Sequence, residues 1–162
     1  MTVHFSDQDF QSTAGVIGSD TSANISTFDR RRRKPSWQDE MVSALCRFVE
    51  LPVGWDGYQG KPLRHDTGMF ALQLMNGMMG PAIPSPYLVP VADGGIQIEW
   101  HQNRFDIELY IAAPYECELS VHDHISNEIK TFQLTSDFSP LKDALQELVN
   151  FNRGIGDVAN AG

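Results

Sequence analysis

The sequence predicts a single two-layer α+β domain, with about four antiparallel strands, three helices mainly on one face, and a mobile N-terminal arm ahead of them. Three observations carry this. Apolar residues recur at helical spacing in 36–50, 66–79 and 139–153. Between the second and third of these stretches, apolar and polar residues alternate over 96–101 and again over 105–111. That alternation leaves one face of each strand polar, the pattern of an antiparallel sheet covered on one side only. At 162 residues the chain has the length of one domain, and no repeat marks a second. The expected boundaries are an arm over 1–35, a domain over 36–153 and a small-residue tail over 154–162.

Residues 1–29 hold four acids (Asp7, Asp9, Asp20, Asp29), no Lys or Arg, and only scattered apolar residues. A segment of this kind buries too little to offset its ordering entropy, so an arm is expected. It ends in Arg30, Arg31, Arg32, Arg33 and Lys34, five of the twelve basic residues. The first helix follows. Ser36 is its expected cap, with Asp39 three residues on. Met41, Val42, Leu45, Phe48 and Val49 form its apolar stripe, and Leu51-Pro52 stops it near Glu50. Residues 51–62 carry three glycines and two prolines and read as a structured loop. A second helix is expected from a cap at Asp66 to about Met79, with Phe70, Leu74 and Met78 on its stripe and Gly80-Pro81 ending it.

Residues 81–90 carry four prolines and should run extended to the edge of the sheet. Ile96, Ile98 and Trp100 then alternate with Gln97, Glu99 and His101, and Phe105, Ile107, Leu109 and Ile111 with Asp106, Glu108 and Tyr110. A two-residue loop at 102–103 would set Trp100 opposite Phe105, Ile98 opposite Ile107 and Ile96 opposite Leu109. It would also set Glu99 opposite Asp106, a repulsive pair needing relief from a cation, a partner or the basic knot. Strands at 117–122 (Cys117, Leu119 and Val121 inward) and near 129–134 (Phe132 and Leu134 inward) complete the sheet. Ser139-Pro140 opens the last helix, whose buried stripe is Leu141, Ala144, Leu145, Leu148 and Val149, with Gly154 ending it.

Charge narrows the function. Twenty-one Asp and Glu against twelve Lys and Arg give a net charge of −9. It divides into −4 over 1–29, +5 over 30–34 and −10 over 35–162. An acidic domain does not coat nucleic acid, because phosphate neutralisation needs a positive surface. Nucleic-acid contact is expected, if anywhere, at the basic knot. No run of about 18 apolar residues marks a membrane span. The first twelve residues have neither a basic nor an apolar signal region, so a cytoplasmic location is expected.

Catalytic signatures are absent: no Gly-x-Ser-x-Gly, no phosphate-binding Gly-rich loop before a helix, no His-Glu-x-x-His and no Cys-x-x-Cys. No enzyme activity and no cofactor are expected. Cys46 and Cys117 read as core thiols. The polar sheet face is the candidate surface. Glu99, Asp106, Glu108 and Glu118 are its contact charges, and Trp55 and Tyr58 either pack under their loop or stand out as interface anchors. His101, His122, His124 and Glu99 are the alternative reading, a metal set of a small hydrolase, since His122 and His124 at i and i+2 point the same way on a strand.

Two short motifs add a resemblance. Trp55-Asp-Gly-Tyr-x-x-Lys-Pro62 and Pro90-x-x-Asp-Gly-Gly-Ile-x-Ile-Glu-Trp100 resemble a recurring set of small bacterial and phage-borne proteins over about residues 40–112. Gln59-Gly60 stands where that set has Gly-Ala, and the arm lies outside the resemblance. Some of those proteins look like accessory genes beside toxin–antitoxin or defence loci, which implies a partner-neutralising role. The expected function is therefore a non-catalytic module that occupies a basic surface on a partner protein, as an antitoxin, immunity or anti-defence protein does. The metal-dependent hydrolase and a DNA-contacting autoregulator working through residues 30–34 are the alternatives, and homo-oligomerisation stays open.

Overall fold

The computed structural model describes residues 36–102 and 104–159, with side chains through Phe151. The arm and the Arg30–Lys34 knot lie outside the described residues. Helix α1 is Trp37–Val49 and α2 is His65–Met78; strands follow as β1 Tyr87–Pro90, β2 Ile96–Gln102, β3 Phe105–Ala113, β4 Glu116–Asp123 and β5 Glu128–Leu134; α3 is Ser139–Ala159. The five strands form one antiparallel meander in chain order.

Two of the three helix starts have a side chain that accepts from the first-turn backbone. The Ser36 hydroxyl accepts from Asp39 N, and the Asp39 carboxylate accepts from Ser36 N, a reciprocal capping box. Helix α2 departs from expectation. Its cap position is Arg64, which makes no side-chain cap, while Asp66 sits inside the first turn and accepts from Thr67 N at 2.8 Å. Its core face is Thr67, Gly68, Ala71 and Met75. Phe70, Leu74 and Met78 are only half-buried, packed at the margin of the core. Small residues face the neighbouring layer because they let α2 lie close, and the large apolar ones fill the rim. At α3, Asp137 accepts from Ser139 N at 2.9 Å. The helical backbone runs past Gly154 to Ala159, so the tail expected from 154 is in part helix.

The sheet has a fifth strand because the Pro-rich run pairs with β2 along Tyr87–Pro90, as an edge strand that proline permits. The inward rows are Ile96–Ile111–Cys117–Leu134 and Leu88–Ile98–Leu109–Leu119–Phe132. With Trp100, Ile107 and Val121 they meet Met41, Leu45, Ala71, Met75, Leu141, Leu145 and Leu148 from the three helices in one core. The indole N–H of Trp100 donates to Pro84 O at 3.0 Å, which satisfies its one polar atom while the ring is buried.

The β2–β3 register is two residues away from the expected one. Gln102 faces Phe105, Trp100 faces Ile107, Ile98 faces Leu109 and Ile96 faces Ile111. The apolar face is unchanged, since strand side chains repeat every two residues. The charged pairs do change: Glu99 faces Glu108, and His101 faces Asp106.

Cys117 is buried and Cys46 is exposed, so only one of the two thiols belongs to the core. Burial, with the nearby Glu116 carboxylate adding to it, pushes the Cys117 thiol up to about 11.

Candidate functional site

The helices cover one side of the sheet. The other side is built of three cross-strand rows: Val89–Gln97–Tyr110–Glu118–Gln133, Tyr87–Glu99–Glu108–Ser120–Thr131, and His101–Asp106–His122–Ile129. All four carboxylates expected to make contacts are on this face. Among the described residues, these rows hold no Lys or Arg, and histidine is their only basic side chain.

The acids are kept apart by polar neighbours. Glu99 and Glu108 oppose each other but turn to different partners: Glu99 Oε2 lies 2.8 Å from His101 Nε2, and Glu108 Oε2 accepts from Gln97 Nε2 at 3.1 Å. Glu118 accepts from Gln133 at 2.5 Å. At the rim, the Tyr110 hydroxyl donates to Asp93, whose other oxygen accepts from Gly95 N at 2.8 Å. Burial and the Asp93 carboxylate raise Tyr110 to about 12. Burial alone would raise Asp93 too, but the hydrogen bonds from Tyr110 and Gly95 and the charge of Arg64 together hold it below the ordinary carboxylate value.

One corner gathers the histidines. His101 bridges two carboxylates, with Nε2 on Glu99 and Nδ1 2.8 Å from Asp106 Oδ1. The bond to Glu99 first, then that to Asp106, raises the imidazole above its ordinary value. The relief expected for crowded acids thus comes from a histidine on the same face. Asp106 Oδ2 is 2.7 Å from His124 Nε2, and these hydrogen bonds, that of His101 foremost, hold Asp106 low. The His122 and His124 rings stack at 4.2 Å between centroids, tilted by 57°, and His122 Nε2 lies 3.4 Å from Asn127 Oδ1. Donor atoms of Asp106, His122 and His124 all lie within 4.8 Å of one another. Of the expected metal set, His122 and His124 come together, whereas Glu99 and His101 stand behind Asp106 and reach the cluster only through it.

Arg104, which no sequence pattern marks, builds this corner. Its carbonyl accepts from His124 N at 2.7 Å, holding a residue beyond the end of β4 beside β3. Its guanidinium pairs with Asp123 and lies over the rings of Phe105 and Phe151 at 4.7 and 5.4 Å. Only the β2–β3 turn could have marked it, because its side chain folds away from the polar face.

The two motifs behind the resemblance form one backbone unit. Asp56 Oδ1 accepts from Tyr58 N at 2.9 Å and Gly60 N at 2.8 Å, and Gly57 takes φ +86°. The Asx turn expected at Asp56 is present. Lys61 N donates to Ala92 O at 2.8 Å and Arg64 N to Gly94 O at 3.0 Å, joining this loop to the Asp93-Gly94-Gly95 turn. Trp55 is half-buried, with Nε1 donating to Lys61 O at 2.9 Å, so it braces the loop. Tyr58 is 87 % exposed and free to act as an anchor. Turn chemistry explains both motifs. No protein-family model, curated protein or solved structure matches this chain.

Proposed function

We propose that the protein is a non-catalytic binding module whose open sheet face docks on a basic surface of a partner protein and neutralises it, in the manner of an antitoxin, immunity or anti-defence inhibitor. One observation carries the reading: a five-stranded face, uncovered by any described helix, presents Glu99, Asp106, Glu108 and Glu118 with no Lys or Arg among its described rows. Like-signed carboxylates on a rigid sheet repel one another, and a cationic partner relieves that repulsion while being steered in. Exposed Tyr87 and Val89 on β1 and Ile129 on β5 border the acids, supplying apolar contact at the rim.

The test is affinity capture from a lysate of the source cell with the wild type and with E108K/E118K. Neither acid bonds a histidine: Glu118 accepts from Gln133, and Glu108, which faces Glu99 across the ladder, accepts from Gln97. The reading expects a basic protein on the wild type that is released by raising the salt and is absent from the reversed variant. Equal capture by both variants at low and high salt contradicts it.

A further inference from the structure

We infer that Asp106, His122 and His124 form a binding site for a first-row divalent transition metal of the zinc class. The fold assembles it from two strands. His122 is the cross-strand partner of Asp106, and His124 follows two residues on, past the end of β4. The Arg104 carbonyl fixes His124 through its N–H at 2.7 Å. Three donors of mixed type, two imidazole nitrogens and one carboxylate oxygen, lie within 4.8 Å of one another. Around a tetrahedral ion with bonds of about 2.0–2.2 Å, donors sit about 3.3–3.5 Å apart. Side-chain rotation of the half-exposed Asp106 and the exposed His124 covers that difference.

The corner also has the outer support that metal sites use. Asp106 Oδ1 is held by His101 Nδ1 at 2.8 Å, and His101 is held in turn by Glu99 at 2.8 Å. One carboxylate oxygen is thereby occupied, and Oδ2, the oxygen on the His124 side, is left to bind the ion. The ion would replace the direct Asp106–His124 hydrogen bond. Two nitrogen donors select zinc, nickel, cobalt or copper over magnesium and calcium, which prefer all-oxygen shells. Three protein ligands leave a fourth position open on the solvent side, where a water or a donor from a docked partner can complete the shell.

Calorimetric titration of the full chain with zinc chloride, and separately with nickel chloride, tests the site, with magnesium chloride as the control. The expected result is one zinc per chain, no heat from magnesium, and a fall in affinity of tenfold or more in H122A and in H124A. D106N should weaken binding comparably. H101A should weaken it by about 10-fold, since His101 is a positioning residue that orients Asp106. H65A and C46S, distant donors, should bind as the wild type does. Circular dichroism of each variant separates lost binding from lost folding, and H124A alters an exposed side chain only. Absence of a saturable zinc heat in the wild type overturns the inference. So does unchanged affinity in the folded H122A/H124A double variant, which would place the zinc elsewhere.

Discussion

The imidazole of His101 stands directly across the β2–β3 ladder from Asp106, with Nδ1 2.8 Å from Oδ1. This pair organises one end of a face whose other charged residues in the described rows, Glu99, Glu108 and Glu118, are all acidic. It turns what would be adjacent repelling carboxylates into a hydrogen-bonded chain from Glu99 through His101 and Asp106 to His124.

The chain has a pH signature. His101 titrates above its ordinary value of 6.5 in the folded protein, so its contribution to stability is full below about pH 6.5 and is lost as the pH rises through the raised folded value. Asp106 is shifted down, so its contribution is present above the ordinary value of 3.8 and is lost as the pH falls through the depressed one. H101Q, melted in EDTA, should therefore lose about 1–2 °C relative to the wild type near pH 5.5–6, and the gap should close by pH 9. The effect is small because the pair is solvent-screened. A gap that widens at alkaline pH would contradict this.

The Asp56 loop should show a graded response to added methyl groups. A Cβ at Gly60 would lie 2.7 Å from Asp56 Cγ, inside the carboxylate that organises the loop, whereas a Cβ at Gly57 meets nothing within 4 Å and strains only the positive φ. G57A should cost about 1 kcal/mol and G60A roughly 1–3 kcal/mol by chemical denaturation. The hydrogen bonds from Tyr58 N and then Gly60 N hold the Asp56 carboxyl low, so the loop loses its support as the pH falls through that depressed value. D56N should be less stable than the wild type at pH 7 and lose less on acidification.

The corrected face of α2 gives a third expectation. Met75 is fully buried, whereas Leu74 is at the rim. M75A should cost about 2–5 kcal/mol, and L74A clearly less. The reverse order would restore the stripe of Phe70, Leu74 and Met78 as the core face.

Much of this architecture is legible in the residues. Ser36 with Asp39, Pro140 and the alternation over 96–101 and 105–111 each have one physical reading, and the structure follows them. The misplaced features share a cause: several answers satisfied the same local rule. Strand alternation has period two, so it separates inward from outward but cannot distinguish registers two residues apart. The same alternation allows Glu99 opposite either Asp106 or Glu108, and the fold takes the second. In α2, size suggested the Phe70–Met78 stripe, whereas close packing of the helix selected Gly68 and Ala71. His122 and His124 stand out in the sequence as a pair, but their junction with Asp106 depends on the β3–β4 register and on the Arg104 carbonyl, which no local pattern encodes.

The two thiols should differ sharply. Cys46 is exposed, and Cys117 is buried with its thiol pushed up to about 11. A chromogenic disulfide reagent at pH 8 should titrate one thiol rapidly in the native protein and a second only in denaturant. C46S should abolish the fast phase; two fast thiols in the native protein would contradict the burial of Cys117.

Carboxyl footprinting of the complex reads out the proposed docking of a partner on the open acidic face. With a captured partner bound, carbodiimide-driven amidation of Glu108 and Glu118 should fall several-fold relative to the free protein, while Asp143 and Glu147 on the opposite, helical layer keep their labelling. Unchanged labelling of Glu108 and Glu118, with protection confined to the helices, would contradict the account.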